Sequence, residues 1–155
     1  MILLALALAA APADRPADPS PPTAVQSDAN AGAPPFAGSG MWHAFHEQAG
    51  VDRVVDAFVT RNSTDPRIAD IFKGQDLVRL RRLLGEQFCY LLNGGCHYSG
   101  RSMAEAHRDL GVQEADMGPL VENLQAAMRA ERIPFAAQNR FLAKLAPMKR
   151  EVVQR

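Results

Sequence analysis

Asn93 to His107 reads NGGCHYSGRSMAEAH, a run that stops one helix, turns, and starts another carrying a histidine. Asparagine and glycine tolerate the left-handed conformation that closes a helix, and Asn93-Gly94-Gly95 supplies three such residues in a row. Ser102 then offers its hydroxyl to the free N–H groups of a short helix that contains Met103 and His107. A histidine held between two amphipathic helices is well placed to serve as a nitrogen ligand. Everything outside this stretch either builds the helices around that histidine or leads up to them.

Working backwards, Leu77, Leu80, Leu84, Phe88 and Leu91 fall on one helix face, and Leu83 and Leu92 widen it. Val51, Val54, Val55 and Phe58 form an earlier stripe that ends at Asn62-Ser63-Thr64-Asp65-Pro66. There Ser63 or Asp65 can cap a short helix with Pro66 in its first turn, running through Ile68 and Ile71 to Phe72 and the Lys73-Gly74 turn. Working forwards, Leu120, Leu124, Ala127 and Met128 mark a further helix with Pro119 in its first turn. A last helix begins near Pro134 and carries Phe141, Leu142, Leu145 and Val152, with a kink expected at Pro147. No segment alternates like a strand and nothing repeats, so the expected class is all-α.

Residues 1–13, MILLALALAAAPA, read as a signal peptide whose Ala11-Pro12-Ala13 resembles a cleavage site, although the usual basic leader residues are missing. The run falls short of the ~20 apolar residues that span a bilayer. Residues 14–40 are rich in Pro, Ala, Gly and Ser and lack periodicity, so they read as a disordered linker. That leaves 41–155 as one compact domain. A functional signal predicts a periplasmic or secreted protein, and a non-functional one a cytoplasmic protein. Seventeen basic residues balance seventeen acidic ones, which argues against nucleic acid and against an anionic membrane surface. The Arg79, Arg81 and Arg82 cluster needs no more than a solvated helix face.

Phe58, Asp65-Pro66, Phe72, Asn93-Gly94-Gly95, Tyr98-Ser99-Gly100-Arg101, Met103, Ala106-His107 and Leu110-Gly111-Val112 occur in a familiar order. In these residues the chain resembles the group I truncated haemoglobins, most of all their exported bacterial members, from Trp42 to Val153. The resemblance implies a truncated globin-like two-over-two helical sandwich around non-covalent haem b. It makes His107 the proximal iron ligand and Phe72 the phenylalanine on the haem face, though Phe72 would serve equally as an ordinary core residue. Phe88 and Met103 would line the pocket, while Tyr90, Tyr98, Arg79 and Arg101 would lie near the propionates. No Cys-x-x-Cys-His occurs, so covalent c-type attachment is not expected. His43, His46 and His97 read as surface or capping residues.

The chain departs from that family in two places. Where the family commonly has a distal tyrosine and glutamine, an ungapped comparison places Val59, Leu80 and Leu84. These apolar residues predict weak retention of oxygen and a preference for CO and NO. The family's Gly-Gly can match Asn93-Gly94 or Gly94-Gly95, and if the helix turns by that slip Gln87 becomes the nearest polar candidate. The second departure is His46-Glu47, where the family usually has Gly-Gly between its first two helices.

Cys89 and Cys96 are the only cysteines. In an exported domain such a pair reads as a disulfide; two buried thiols are the alternative. The expected function is binding of O2, NO or CO, serving oxygen transport or NO detoxification with nitric oxide dioxygenase chemistry and an unidentified electron donor. The rival reading is a haem-free helical interaction domain, which would need neither His107 nor Phe72. A thiol–disulfide enzyme fits least, because no Cys-x-x-Cys occurs.

Overall fold

A computed structural model describes residues 28–154. The apolar run 1–13 and residues 14–27 of the expected linker lie outside it. Eight α-helices follow in order: α1 Gly40–Ala44, α2 Glu47–Thr64, α3 Ala69–Phe72, α4 Leu77–Leu91, α5 Met103–His107, α6 Glu114–Ala130, α7 Phe135–Leu145 and α8 Lys149–Val152. No strand occurs among the described residues. The central helix is α2, which packs along both α4 and α6, and α6 leads into α7, giving the two-over-two arrangement that the resemblance implies. The core joins the valine stripe of α2 to Phe88 and Leu91 of α4, Leu124 and Met128 of α6, and Phe141 of α7. Phe141 meets Phe45 and Phe88 edge-on, with ring centroids 5.0 and 4.8 Å apart.

Boundaries follow local chemistry, with two shifts from expectation. Asp76 caps α4 by accepting from the Arg79 N–H, and Ser102 caps α5 by accepting from the Glu105 N–H. The α2 stripe does not stop at Asn62: the helix runs on to Thr64, so Asn62 is a buried helical residue. Helix α6 starts earlier than expected, because Asp116 accepts from the Gln113 N–H and sets its first turn there. Pro119 therefore stands in the second turn, where the ring removes the N–H that would bond the Ala115 carbonyl. Pro147 breaks the last helix into α7, a 3₁₀ turn over Ala146–Met148, and α8.

At the α1–α2 junction His46 and Glu47 occupy the left-handed region, with φ of 60° and 58°. Glycine adopts it freely, whereas other residues lose roughly 1–2 kcal/mol there. Contacts hold the turn in place: His46 Nδ1 lies 3.0 Å from Glu131, and the Arg53 guanidinium donates twice to the same carboxylate. The Arg53 bonds outweigh burial and bring the Glu131 carboxyl down to about 2. Gly50 permits the close approach, since a Cβ there would sit 1.9 Å from the Phe45 carbonyl oxygen.

Residues 28–40 correct the linker expectation, because they form a packed strap rather than a disordered tether. Asp28–Ala31 is a 3₁₀ turn, and Ala31 is wholly buried. The Phe36 N–H donates to the Leu91 carbonyl at 2.8 Å, Asn93 Nδ2 to the Gly38 carbonyl at 2.9 Å, and Lys144 to the Pro34 carbonyl at 2.6 Å.

Candidate functional site

A bilobed cleft opens between α2, α4, α5, α6 and the last helices. Its main lobe has a volume of about 800 Å³ and its second lobe about 340 Å³; Phe72, Leu80, Leu84, Gln87, Met103 and His107 line both. Such volumes suit a large organic ligand, for which roughly 300–1,000 Å³ is usual. The lining is mostly aliphatic and aromatic.

His107 is held by its own helix. Its Nδ1 lies 2.8 Å from the Met103 carbonyl oxygen, one turn back. A carbonyl only accepts, so Nδ1 is the donor, and in the neutral imidazole the lone pair lies on Nε2. The His107 carbonyl in turn accepts from Gln154 Nε2 at 2.8 Å. A five-residue helix has little stability of its own. The Ser102 cap, the packing of α8 and the Gln154 bond are what fix it.

The α2 and α4 walls contrast with this in chemistry. Val59, Leu80 and Leu84 line the main lobe and present only hydrocarbon. Gln87 does turn inward, and it is only 6% exposed. Its Nε2, however, donates to the Ala31 carbonyl at 2.9 Å and touches the Met103 and Met148 sulfurs at 3.5 and 3.8 Å. Both amide hydrogens are thus engaged by the strap and the two thioethers.

Residues 41–154 match the family described as bacterial-like globin. The chain belongs to the bacterial-like globins. Among its relatives is a group 1 truncated hemoglobin of Synechocystis, 31% identical over 88 residues, or 54% of this chain and 71% of the relative. Another, from Nostoc commune, is 25% identical over 108 residues, covering 70% and 92% of the two chains. The fold is that of the Tetrahymena pyriformis truncated hemoglobin in its Fe(III) form: TM-score 0.70, 21% identity, 74% of this chain and 98% of the other. Membership implies haem binding, and this globin's cleft suits the group: an apolar slot with one imidazole on its wall whose Nε2 has no hydrogen-bond partner among the described residues.

Around the mouth of the second lobe, Arg79 and Arg101 line the space, and neither side chain has a hydrogen-bond or ion-pair partner among the described residues. Tyr98 also lines it, but its hydroxyl donates to the Arg101 carbonyl at 2.9 Å and burial pushes the phenol pKa up. Tyr98 is therefore a structural strut, not a donor to a ligand. Tyr90 lines neither lobe and packs against the core, which corrects the expectation that placed it with the arginines. Phe72 and Met103 line both lobes, and Phe88 lines the main one. His43, His46 and His97 face Glu47, Glu131 and Asp28 at the surface. Met117, Met148 and, more importantly, Asn62 also stand on the cleft wall, where the sequence had not placed them. Asn62 stands three residues after Val59, the spacing that would have revealed it.

The loop from α4 to α5 is clamped to the globin's frame. A disulfide joins Cys89 to Cys96 with Cα atoms 5.7 Å apart. The turn between them uses left-handed Asn93 and Gly95, with φ of 63° and 85°. Gly94 is needed for room, since a Cβ there would lie 2.5 Å from the Trp42 ring. Glu86 accepts from the Ser99 N–H and hydroxyl at 2.9 and 2.6 Å, and Asp28 from the Tyr98 N–H at 2.9 Å.

Proposed function

We propose that this globin holds haem b non-covalently through His107 Nε2 and uses it to bind a diatomic gas. The observation that carries the reading is the 2.8 Å contact from His107 Nδ1 to the Met103 carbonyl, which directs Nε2, the nitrogen able to ligate, to an apolar cleft. When bound, the haem supplies an iron with a position open to O2, NO or CO. Phe72 and Met103, which line both lobes, would hold the apolar ring. Arg79 and Arg101 offer guanidinium forks suited to the propionate carboxylates. Val59, Leu80 and Leu84 keep water out and donate no hydrogen bond, and the Gln87 amide is spent on Ala31. Gas selectivity from these four positions therefore rests on shape and low polarity. We further propose that the protein is exported, since residues 1–13 have the pattern of a signal peptide and the Cys89–Cys96 bridge suits an oxidising compartment.

The test is optical. Purified full-length protein given haem shows a Soret band in its ferric, ferrous and CO forms, and His107→Ala loses or strongly weakens it. Wild-type protein that stays colourless refutes the reading and favours the haem-free interaction domain.

A further inference from the structure

Asn62 lies on α2 three residues beyond Val59, on the same helix face, and it too lines the main lobe. It is 1% exposed, and its amide orientation is set by a chain of bonds running in from the surface. Arg67 grips the Asp65 carboxylate with Nη2 2.8 Å from Oδ2, keeping that group ionised and therefore an acceptor only. Asn123 Nδ2 donates one hydrogen to Asp65 Oδ2 at 3.1 Å and the other to Asn62 Oδ1 at 3.0 Å. With the Asn123 nitrogen fixed by the carboxylate, the Asn62 oxygen must face it, and the Asn62 nitrogen must point elsewhere. That Nδ2 donates to no protein atom among the described residues. No side-chain nitrogen or oxygen sealed from solvent lacks a partner there, so Nδ2 must open onto space. The space at Asn62 is the main lobe. A buried N–H left without an acceptor is costly, so a preset donor facing a cavity is suited to a ligand that brings the acceptor.

We propose that Asn62 Nδ2 is the hydrogen-bond donor of this globin's gas site, contacting an acceptor atom of the diatomic ligand in the main lobe. The proposal rests on the haem and gas reading above. It places the polar anchor one helical turn along α2 from Val59 and ties it, through Asn123, to α6. Binding in the otherwise apolar lobe would then be sensitive to the polarity of the gas and not to its size alone.

The C–O stretching band of the ferrous CO form tests this, because that band reports the local field on the ligand. Asn62→Leu raises its frequency and speeds oxygen release by roughly two- to tenfold, the worth of one neutral hydrogen bond. Because the single variant orphans the Asn123 amide, Asn62→Leu with Asn123→Leu is made alongside and gives the same shift. In the unmutated protein, transfer into D2O also moves the band, since the donor is an exchangeable N–H. A band unmoved by deuteration and by both variants overturns the proposal. Failure of haem binding is seen separately, as a missing Soret band in the wild type, and would remove the proposed function and this inference together.

Discussion

The wall of the cleft built by α5 and the wall built by α2 and α4 are made by opposite means. On α5, a five-residue helix, each polar contact of His107 comes from a near neighbour in the chain or from a side chain near the C-terminus: the Met103 carbonyl at Nδ1 and the Gln154 amide at the carbonyl oxygen. On α2 and α4 the stripe is long and apolar, and its polar atoms are settled from far away. Gln87 is engaged by Ala31, 56 positions earlier, and Asn62 by Asn123, 61 positions later. A ligating group must be aimed closely and gains from local hydrogen bonds of fixed geometry. Tuning of the ligand can be left to distant elements, which is where one globin can differ from another without losing the first wall.

The Cys89–Cys96 bridge links the two walls, since it ties the end of α4 to the loop leading into α5. Cutting it has the largest expected effect on stability. With a sequence separation of 7, the entropy removed from the unfolded chain is worth about 2–3 kcal/mol. Cys89→Ser with Cys96→Ser therefore lowers the unfolding free energy measured in urea by that amount while haem uptake persists, because His107 is oriented by the Met103 carbonyl, α8 and Gln154, none of which the bridge touches. Equal stability in oxidised and double-serine protein would show that the bridge constrains nothing, and loss of uptake would show that the walls are not independent.

Next in size is a donor added to the apolar wall. Val59 is fully buried against the main lobe. Val59→Tyr brings a hydroxyl to that space and slows oxygen release by roughly tenfold, the kinetic equivalent of about 1.4 kcal/mol for a good hydrogen bond. Stopped-flow release rates should rank Val59→Tyr slowest, wild type next and Asn62→Leu fastest. A wild-type rate already as slow as that of Val59→Tyr would show that the wall is not apolar in effect.

The same contrast explains what could be read from the chain. The α5 wall was legible because its signals are local: Asn93-Gly94-Gly95 stops a helix, Ser102 starts one, and His107 follows within five residues. The leucine stripe of α4 was legible by its period. The strap was not, because it is held through the backbone carbonyls of Ala31, Pro34 and Gly38, which any residue can supply and which leave no side-chain signature. Asn62 was lost for another reason. A polar residue just ahead of Ser-Thr-Asp-Pro looks like the start of a turn, and only the packing of α6 turns it into a buried amide. His46 and Glu47 hold left-handed geometry that glycine would take unaided, stabilised by a carboxylate 85 residues after His46.

The smallest effect concerns a second link between the walls, the Glu86 carboxylate on α4 that accepts both Ser99 donors in the loop before α5. Burial pushes its pKa up, but the two Ser99 bonds and the Arg82 guanidinium outweigh it and hold the group below its ordinary 4.5. The ionised form is thus favoured by the fold, so the contribution is complete above about pH 4.5 and is lost as pH falls below that value. Glu86→Gln carries no titrating charge and should give a melting temperature that falls less steeply below this point, with faster amide exchange at Ser99 already at neutral pH. Asp65 and Glu131 titrate in both proteins, so they contribute equally to the two profiles and cancel in the comparison. Identical slopes would place the acid sensitivity at those other carboxylates and leave the disulfide as the one link that matters between the walls.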